Sequence, residues 1–158
     1  MRFLFSLLLV AALAYGAWPY LHVYRLDTAV AEDNTGTIRA LVDLEAVQRH
    51  RTAQLEWHLE NRIDNTVGQE GTLSDMVKRG ARWVRDRGGS GDIDPVWVRQ
   101  RLLEARVNDV SGLLQSIDFA FFEGPNQFLV RLGELGEGPT HLRFERREWR
   151  WYLTGIYD

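Results

Sequence analysis

FLFSLLLVAALAYGAWPYLHV, residues 3–23, carries no formally charged side chain, and its only interruptions are Ser6, Gly16, Pro19 and His22. At about 1.5 Å per residue, a helix through this run is roughly 31 Å long, close to the hydrocarbon thickness of a bilayer. Aromatic side chains that favour the headgroup level follow at its far end, namely Trp18, Tyr20 and Tyr24. The run therefore predicts a membrane anchor over residues 1–25, with these three aromatic residues as its interfacial belt.

A secretory signal peptide is the alternative interpretation of the same run. Ala12-Leu13-Ala14 supplies the small residues of a cleavage site, with cleavage before Tyr15. We favour a retained anchor, because the apolar region of a signal peptide rarely has an aromatic belt behind it. Arg2 and the short leader predict a single pass with the N-terminus inside and the domain exported.

Composition indicates that one folded domain, residues 26–158, follows the anchor. The chain is 45% hydrophobic and 11% aromatic, which is typical of globular rather than disordered proteins. It has no cysteine, which excludes disulfide scaffolds, thiolate nucleophiles and cysteine zinc sites. Its net charge of −3 argues against nucleic acid as a partner, because a polyanion-binding surface carries the opposite sign.

Helical patterns fill the first two thirds of the domain. The anchor helix continues to Glu32, where the sequence DNTG at 33–36 interrupts it. The clearest helical period in the chain lies between Leu73 and Val84, behind a capping-box-like start. The signals for the starts of the further helices are Thr37, Asp43 as an N-cap, Thr72, and Asp94-Pro95 as an N-cap followed by an N1 proline.

From Gly112 onward the apolar period changes from helical to two, which is typical of strands. Helices followed by a four-stranded antiparallel meander define an α+β fold. We expect about four helices to pack on the sheet face that carries Phe119, Phe128, Phe144 and Trp151. The alternating segments lie at 117–121, 127–132, 142–145 and 149–154.

The ending LRFERREWRWYLTGI, residues 142–156, resembles the closing hairpin of a bacterial family known as domain of unknown function two-nine-three-nine. The apolar leader, Pro19-Tyr20 before a helix, IRALVDL at 38–44 and Asp94-Pro95 are also similar to that family's layout. The resemblance implies a membrane-anchored bacterial protein with a cone-like fold similar to nuclear-transport-factor-two-like domains. It implies no activity, cofactor or catalytic residue.

The sequence EWHLE at 56–60 comes nearest to a metal or acid–base site. Its two glutamates share one helix face, and His50 lies about two turns upstream of His58. Zinc-binding helices instead place two histidines four residues apart with a glutamate between them. A solvated helix face is therefore the better interpretation, and we predict no catalytic, metal or cofactor-binding residue.

Asp118 is a carboxylate inside an apolar strand, where a cone-shaped fold could use it as a base facing a pocket. Its alternation with Phe119 and Phe121 predicts instead that it points outward into solvent.

The helix from Leu73 to Arg87 has a basic side opposite its apolar face, formed by Lys78, Arg79, Arg82 and Arg85. A basic amphipathic helix held near a bilayer is suited to contact anionic headgroups or a protein partner. The competing interpretation, which we favour, is a helix that packs its apolar face on its own domain and leaves the basic side solvated.

These patterns lead to a non-enzymatic, membrane-anchored accessory or binding domain in the bacterial inner membrane, with the domain in the periplasm. Its expected partners are the membrane and other membrane protein subunits. One alternative is a small-molecule-binding or enzymatic domain with a pocket between helices and sheet. Another alternative is a domain that contacts anionic lipid through its basic helix.

Overall fold

Helices and one four-stranded sheet make up residues 2–54, 93–106, 112–136 and 138–157, which are the residues that the computed structural model describes. The α+β class and the antiparallel meander are confirmed. The helices, in chain order, are α1 (Arg2–Ala31), α2 (Thr35–Leu41), α3 (helical residues 44–54) and α4 (Pro95–Glu104). The strands are β1 (Ile117–Gly124), β2 (Gln127–Leu132), β3 (Thr140–Arg147) and β4 (Arg150–Tyr157).

Local capping chemistry sets the helix boundaries, and α2 begins at Thr35 rather than near Thr37 because Asn34 supplies its cap. After α1 ends, Asp33 adopts a left-handed conformation with φ 57°, and Asn34 then caps α2. The Oδ1 atom of Asp43 accepts the Ala46 N–H at 2.9 Å, and that of Asp94 accepts the Trp97 N–H at 2.7 Å. These carboxylates satisfy N–H groups that have no partner within the helix, so α3 and α4 begin where predicted.

The sheet pairs its strands in sequence order, β1-β2-β3-β4, so consecutive turns lie at opposite ends. The β1–β2 turn at 125–126 and the β3–β4 turn at 148–149 are therefore at one end, which we call the tip end. The longer β2–β3 loop at 133–139 is at the other end. Only two residues form each tip turn, and Glu148 takes the left-handed conformation, φ 55°, that such a turn requires.

The prediction for the packed face of the sheet is right for Phe128, Phe144 and Trp151 but wrong for Phe119. Phe128 and Trp151 are 1% exposed and Phe144 is 0% exposed, whereas Phe119 is 50% exposed on the opposite face. The β1–β2 pairing is irregular between Ile117 and Phe119, and beyond it Phe122 lies opposite Phe128. Phe122 rather than Phe119 therefore contacts the aromatic core, and its ring centroid is 5.0 Å from that of Phe128.

The helix layer covers the packed face, with α1 lying along the sheet. Val23, Leu26 and Val30 of α1 are fully buried in the same apolar core as Leu142 and Leu153 of the sheet. Pro19 lies inside α1 without ending it.

Asp27 links α1 to the segment before β1 through hydrogen bonds and an ion pair. Its Oδ1 atom accepts hydrogen bonds from Arg106 Nη2 and from the Leu113 N–H, both at 2.9 Å. The Asp27 and Arg106 side chains are each 17% exposed, so this ion pair is largely removed from water. A Cβ atom on Gly112 would lie 2.5 Å from Asp27 Oδ2, so the chain passes this carboxylate at a position that only glycine can occupy without displacement.

Asp43 joins the helix layer to β4 and to the β3–β4 hairpin. Its N–H donates to the Leu153 carbonyl at 2.9 Å, next to a parallel bridge between Val42 and Leu153. Its carboxylate accepts from the Arg147 guanidinium as well as from the Ala46 N–H. Burial raises the pKa of Asp43, but these two donors favour the charged carboxylate more strongly, so its pKa lies below the ordinary value.

The charge of Asp43 is expected to stabilise the fold at neutral pH but not in acid. Asp43→Asn keeps a capping oxygen and removes the charge, so it isolates the electrostatic part. Because the folded-state pKa is lowered, the difference between wild type and Asp43→Asn should be complete above about pH 4, the unfolded value. It should shrink as the pH falls through the folded-state pKa. Urea unfolding at a series of pH values measures the difference, and a constant difference would contradict the prediction.

Candidate membrane-anchoring site

α1 has an exposed N-terminal half and a second half that packs on the domain. Residues 2–14 are all exposed, and from Tyr15 onward one side of the helix packs on the domain. Leu4, Leu8 and Leu13 are 63%, 68% and 65% exposed, respectively. An apolar helical segment, residues 3–14, therefore projects from the described part of the domain.

The first contacts of α1 with the domain are aromatic and lie at the tip end of the sheet. The Tyr15 ring stacks on Phe122, with centroids 5.9 Å apart, and its hydroxyl donates to the Pro125 carbonyl. Trp18 stacks on Trp149 of the β3–β4 turn, with centroids 6.4 Å apart and an interplanar angle of 18°. The tips of both hairpins thus contact α1 at the level where its projecting half begins.

Further along, α1 runs from the tip end toward the far end of the sheet. The Tyr20 ring meets Phe128 edge-on at 5.1 Å, and the His22 ring meets Phe144 in the same manner at 5.9 Å. Asp27 then reaches the residues just before β1, at the far end. The N-terminal half of α1 therefore points away from the sheet on the tip side.

The predicted belt residues all lie within the half of α1 that accompanies the domain. Trp18 is half-buried against Trp149, whereas Tyr20 and Tyr24 are 39% and 57% exposed. Their position at the headgroup level remains a prediction. Sequence reasoning did not include Trp149, which joins Trp18, because no sequence signal shows that a turn 131 residues away meets the anchor helix.

One arginine side chain, that of Arg146, lies against this aromatic group. The Arg146 guanidinium lies 5.3 Å from the centroid of Tyr15 and 5.9 Å from that of Trp149, in cation–π geometry. It donates to Asn126 Oδ1 at 2.8 Å, and within the described residues it has no carboxylate partner. Arg147 pairs with Asp43, and Arg150 is exposed.

By length and composition α1 can cross a membrane, and it is the one such helix within the described residues. A helix of this kind near the N-terminus is equally typical of a signal sequence. The predicted boundary at residue 25 remains a prediction. The helix is continuous through it, with Val23 before it and Leu26 after it in one core.

Asp118 forms a solvent-facing ion pair. Its side chain is 39% exposed and accepts from Arg131 Nε at 3.1 Å, and Arg131 in turn lies over the Phe119 ring. The outward orientation is as predicted, although Phe119 and Phe121 are exposed as well. A carboxylate neutralised by arginine in water has no feature of a general base.

The other candidate residues fall mostly outside the described part of the chain. The basic residues Lys78, Arg79, Arg82 and Arg85 and the segment at 56–60 lie there, and their roles remain predictions. His50 packs edge-on against Tyr157 with centroids 5.9 Å apart. Where the chain is described, no three metal-ligating side chains come together.

Two open clefts lie on the described surface. One, of about 510 Å³, is lined by Leu44, Glu45, Gln48, Arg49 and Ile93. Another, of about 430 Å³, lies between α2 and the start of α4. The described lining of these clefts contains no tryptophan, histidine or Asp118. They give no support to the catalytic pocket that the enzymatic alternative requires.

Residues 8–90 match a family model described as Protein of unknown function (DUF2939), which is more than half of the chain. The chain belongs to the DUF2939 family. The match begins in the projecting half of α1 and includes IRALVDL at 38–44, whereas the closing hairpin at 142–156 lies beyond it. No curated protein and no solved structure matches the chain, so its likeness to cone-like folds remains a prediction.

Proposed function

We propose that the chain is a non-enzymatic accessory or binding domain, anchored in a membrane by residues 3–14 of α1. The observation that carries this proposal is the exposure of a helical segment that is apolar except for Ser6. Phe3, Leu8 and Leu9 are 81%, 68% and 54% exposed, and no described part of the domain covers them. An exposed apolar surface along residues 3–14 is unfavourable in water and is stabilised by lipid.

The finer assignment is a single-pass protein of the bacterial inner membrane with its domain in the periplasm. Arg2 at the start of the helix supports this orientation, because basic residues are retained on the cytoplasmic side. The exposed arginines and aromatic residues at the tip end support attachment next to a larger membrane assembly. Crosslinking mass spectrometry on native membranes tests the assembly, and recovery of crosslinks within the chain alone would argue against it.

The anchor itself is tested by the mass of the mature protein and by its extraction behaviour. We expect the intact mass to include the residues from Phe3 onward, and the protein to stay in the membrane pellet after alkaline carbonate washing. A soluble product that begins near Tyr15 would overturn the proposal.

A specific observation favours a second candidate, an exported domain released from its leader. Cleavage after Ala14 would remove the exposed part of α1, which packs on no described part of the domain, and would leave Tyr15 as the first residue of the packed half. The same mass measurement therefore decides between the anchored and the released domain. The two mature proteins differ by the mass of the projecting segment.

A further inference from the structure

The projecting half of α1 is too short to cross a bilayer by itself. Residues 3–14 extend about 18 Å, whereas the hydrocarbon core is about 30 Å thick. Including the half-packed turn up to Trp18 extends the helix to only about 24 Å. An anchor of this length comes nearest to crossing when lipid reaches the tip end of the sheet, and local thinning of the bilayer then makes up the remaining difference.

α1 offers no linker that would hold the domain away from the lipid. It continues without a break from Arg2 to Ala31, and its packed half buries Val23, Leu26 and Val30 completely. Lengthening the free helix by detaching this half would expose those side chains to water. The level of the tip end along α1 is therefore fixed by the core.

The tip end has the chemistry of a surface that contacts lipid headgroups. Trp149 is 73% exposed beside α1, and Phe122 is 37% exposed. The Arg146 guanidinium lies against Trp149, and arginine with tryptophan is a combination suited to the interface, where apolar bodies and polar groups are both accommodated.

The loop at the far end of the sheet lacks both kinds of residue. This loop, GELGEGP at 133–139, has two glutamates and no aromatic or basic residue. Leu135 in this loop is 75% exposed, nearly the same as Trp149. Among the turns and loops that join the strands, the exposed tryptophan therefore lies at the end from which the anchor emerges, whereas the exposed Phe119 with Arg131 over its ring lies on the outer face nearer the far end.

We infer that the domain rests directly on the bilayer through its tip end, with Tyr15, Phe122 and Trp149 in the headgroup layer around α1. The inference rests on the proposed function, because it takes residues 3–14 to be in lipid. It goes further by naming a second contact with the same membrane, made by the β1–β2 and β3–β4 turns.

Single-cysteine labelling of the full chain in phosphatidylcholine vesicles tests the contact, since the chain has no cysteine of its own. Trp149→Cys and the matched control Leu135→Cys each carry an environment-sensitive fluorophore. We expect lipids spin-labelled near the headgroup to quench the label at 149 several-fold more than the label at 135. Aqueous iodide should show the reverse order. Arg150→Cys, in the neighbouring position, replaces Trp149→Cys if loss of the Trp18 contact disturbs folding.

Flotation of the same vesicles separates the two proposals. If the protein floats but the labels at 149 and 135 are equally open to iodide, the lipid contact of the tip end is wrong and the anchor stands. If the protein does not float, the proposed anchor fails and the contact fails with it. Preferential lipid quenching at the tip end in floating vesicles supports both.

Discussion

Leu8→Arg is expected to release the full-length chain from membranes while leaving the domain folded. Leu8 lies near the middle of the projecting segment and is 68% exposed, so its replacement removes no contact from the core. An arginine at the centre of a membrane helix costs about 2.5–3.5 kcal/mol on insertion scales. This corresponds to a roughly hundredfold weaker partition into lipid.

Leu135→Arg is the matched control, because it makes the same chemical change at a side chain that is 75% exposed at the far end of the sheet. Vesicle flotation measures the partition, and urea unfolding checks that both variants keep the stability of the wild type. If Leu8→Arg floated as well as Leu135→Arg, residues 3–14 would not be in the hydrocarbon core.

The largest loss of stability is expected for Asp27→Ala. The substitution leaves the Arg106 guanidinium, 17% exposed, without its carboxylate, and it removes the acceptor of the Leu113 N–H. Breaking a buried ion pair from one side typically costs about 3–5 kcal/mol. Urea unfolding of the purified chain should show a loss near the lower end of this range, because the pair keeps some access to water.

Asp33→Asn is the control for the Asp27 variant, because asparagine removes the charge and tolerates the left-handed conformation that Asp33 adopts. Asp33 pairs with Arg99 at 2.9 Å, but its side chain is 66% exposed, and exposed pairs contribute about 0–1 kcal/mol. Equal losses for the two variants would show that the burial of Asp27 has no energetic consequence.

Gly112→Ala tests the same contact between Asp27 of α1 and the segment before β1. The added methyl group would lie 2.5 Å from Asp27 Oδ2, which is closer than real Cβ contacts. We expect a loss of about 1–3 kcal/mol in urea unfolding, as for an overpacked core position. Gly36→Ala, where the nearest atom would be 3.6 Å away, is the comparison glycine and should lose less. Full stability of Gly112→Ala would show that the loop moves freely away from α1.

Features that depend on a few neighbouring residues could be predicted from the sequence. Asp43 and Asp94 are followed by residues suited to a first helical turn, so their capping roles need no tertiary information. The face of β1 depends on more than its own residues. In IDFAFF either phase of the alternation places phenylalanine inward, and the choice depends on where β2 pairs.

The division of α1 into a projecting half and a packed half shows a second limit of prediction from the sequence. Because residues 3–23 are apolar on every side, periodicity cannot show where contact with lipid ends and the protein core begins. A signal does appear later, where Val23, Leu26 and Val30 recur at helical spacing among Arg25 and Asp27. That pattern indicates a helix packed on a domain. Its contact with Trp149 depends on the tertiary fold, which no local pattern contains.

The contact of α1 with β4 also constrains how the protein is made. The core contains Val23 from α1 and Trp151 from β4, so it is complete only when both elements are present. During synthesis α1 leaves the ribosome long before its partner strands exist, and its apolar side lacks these partners until β4 has been made. Contacts of such long sequence separation form slowly. A chaperone or the lipid itself must therefore shield the helix in the interval, and chains cut short before β4 are expected to be degraded rather than to accumulate.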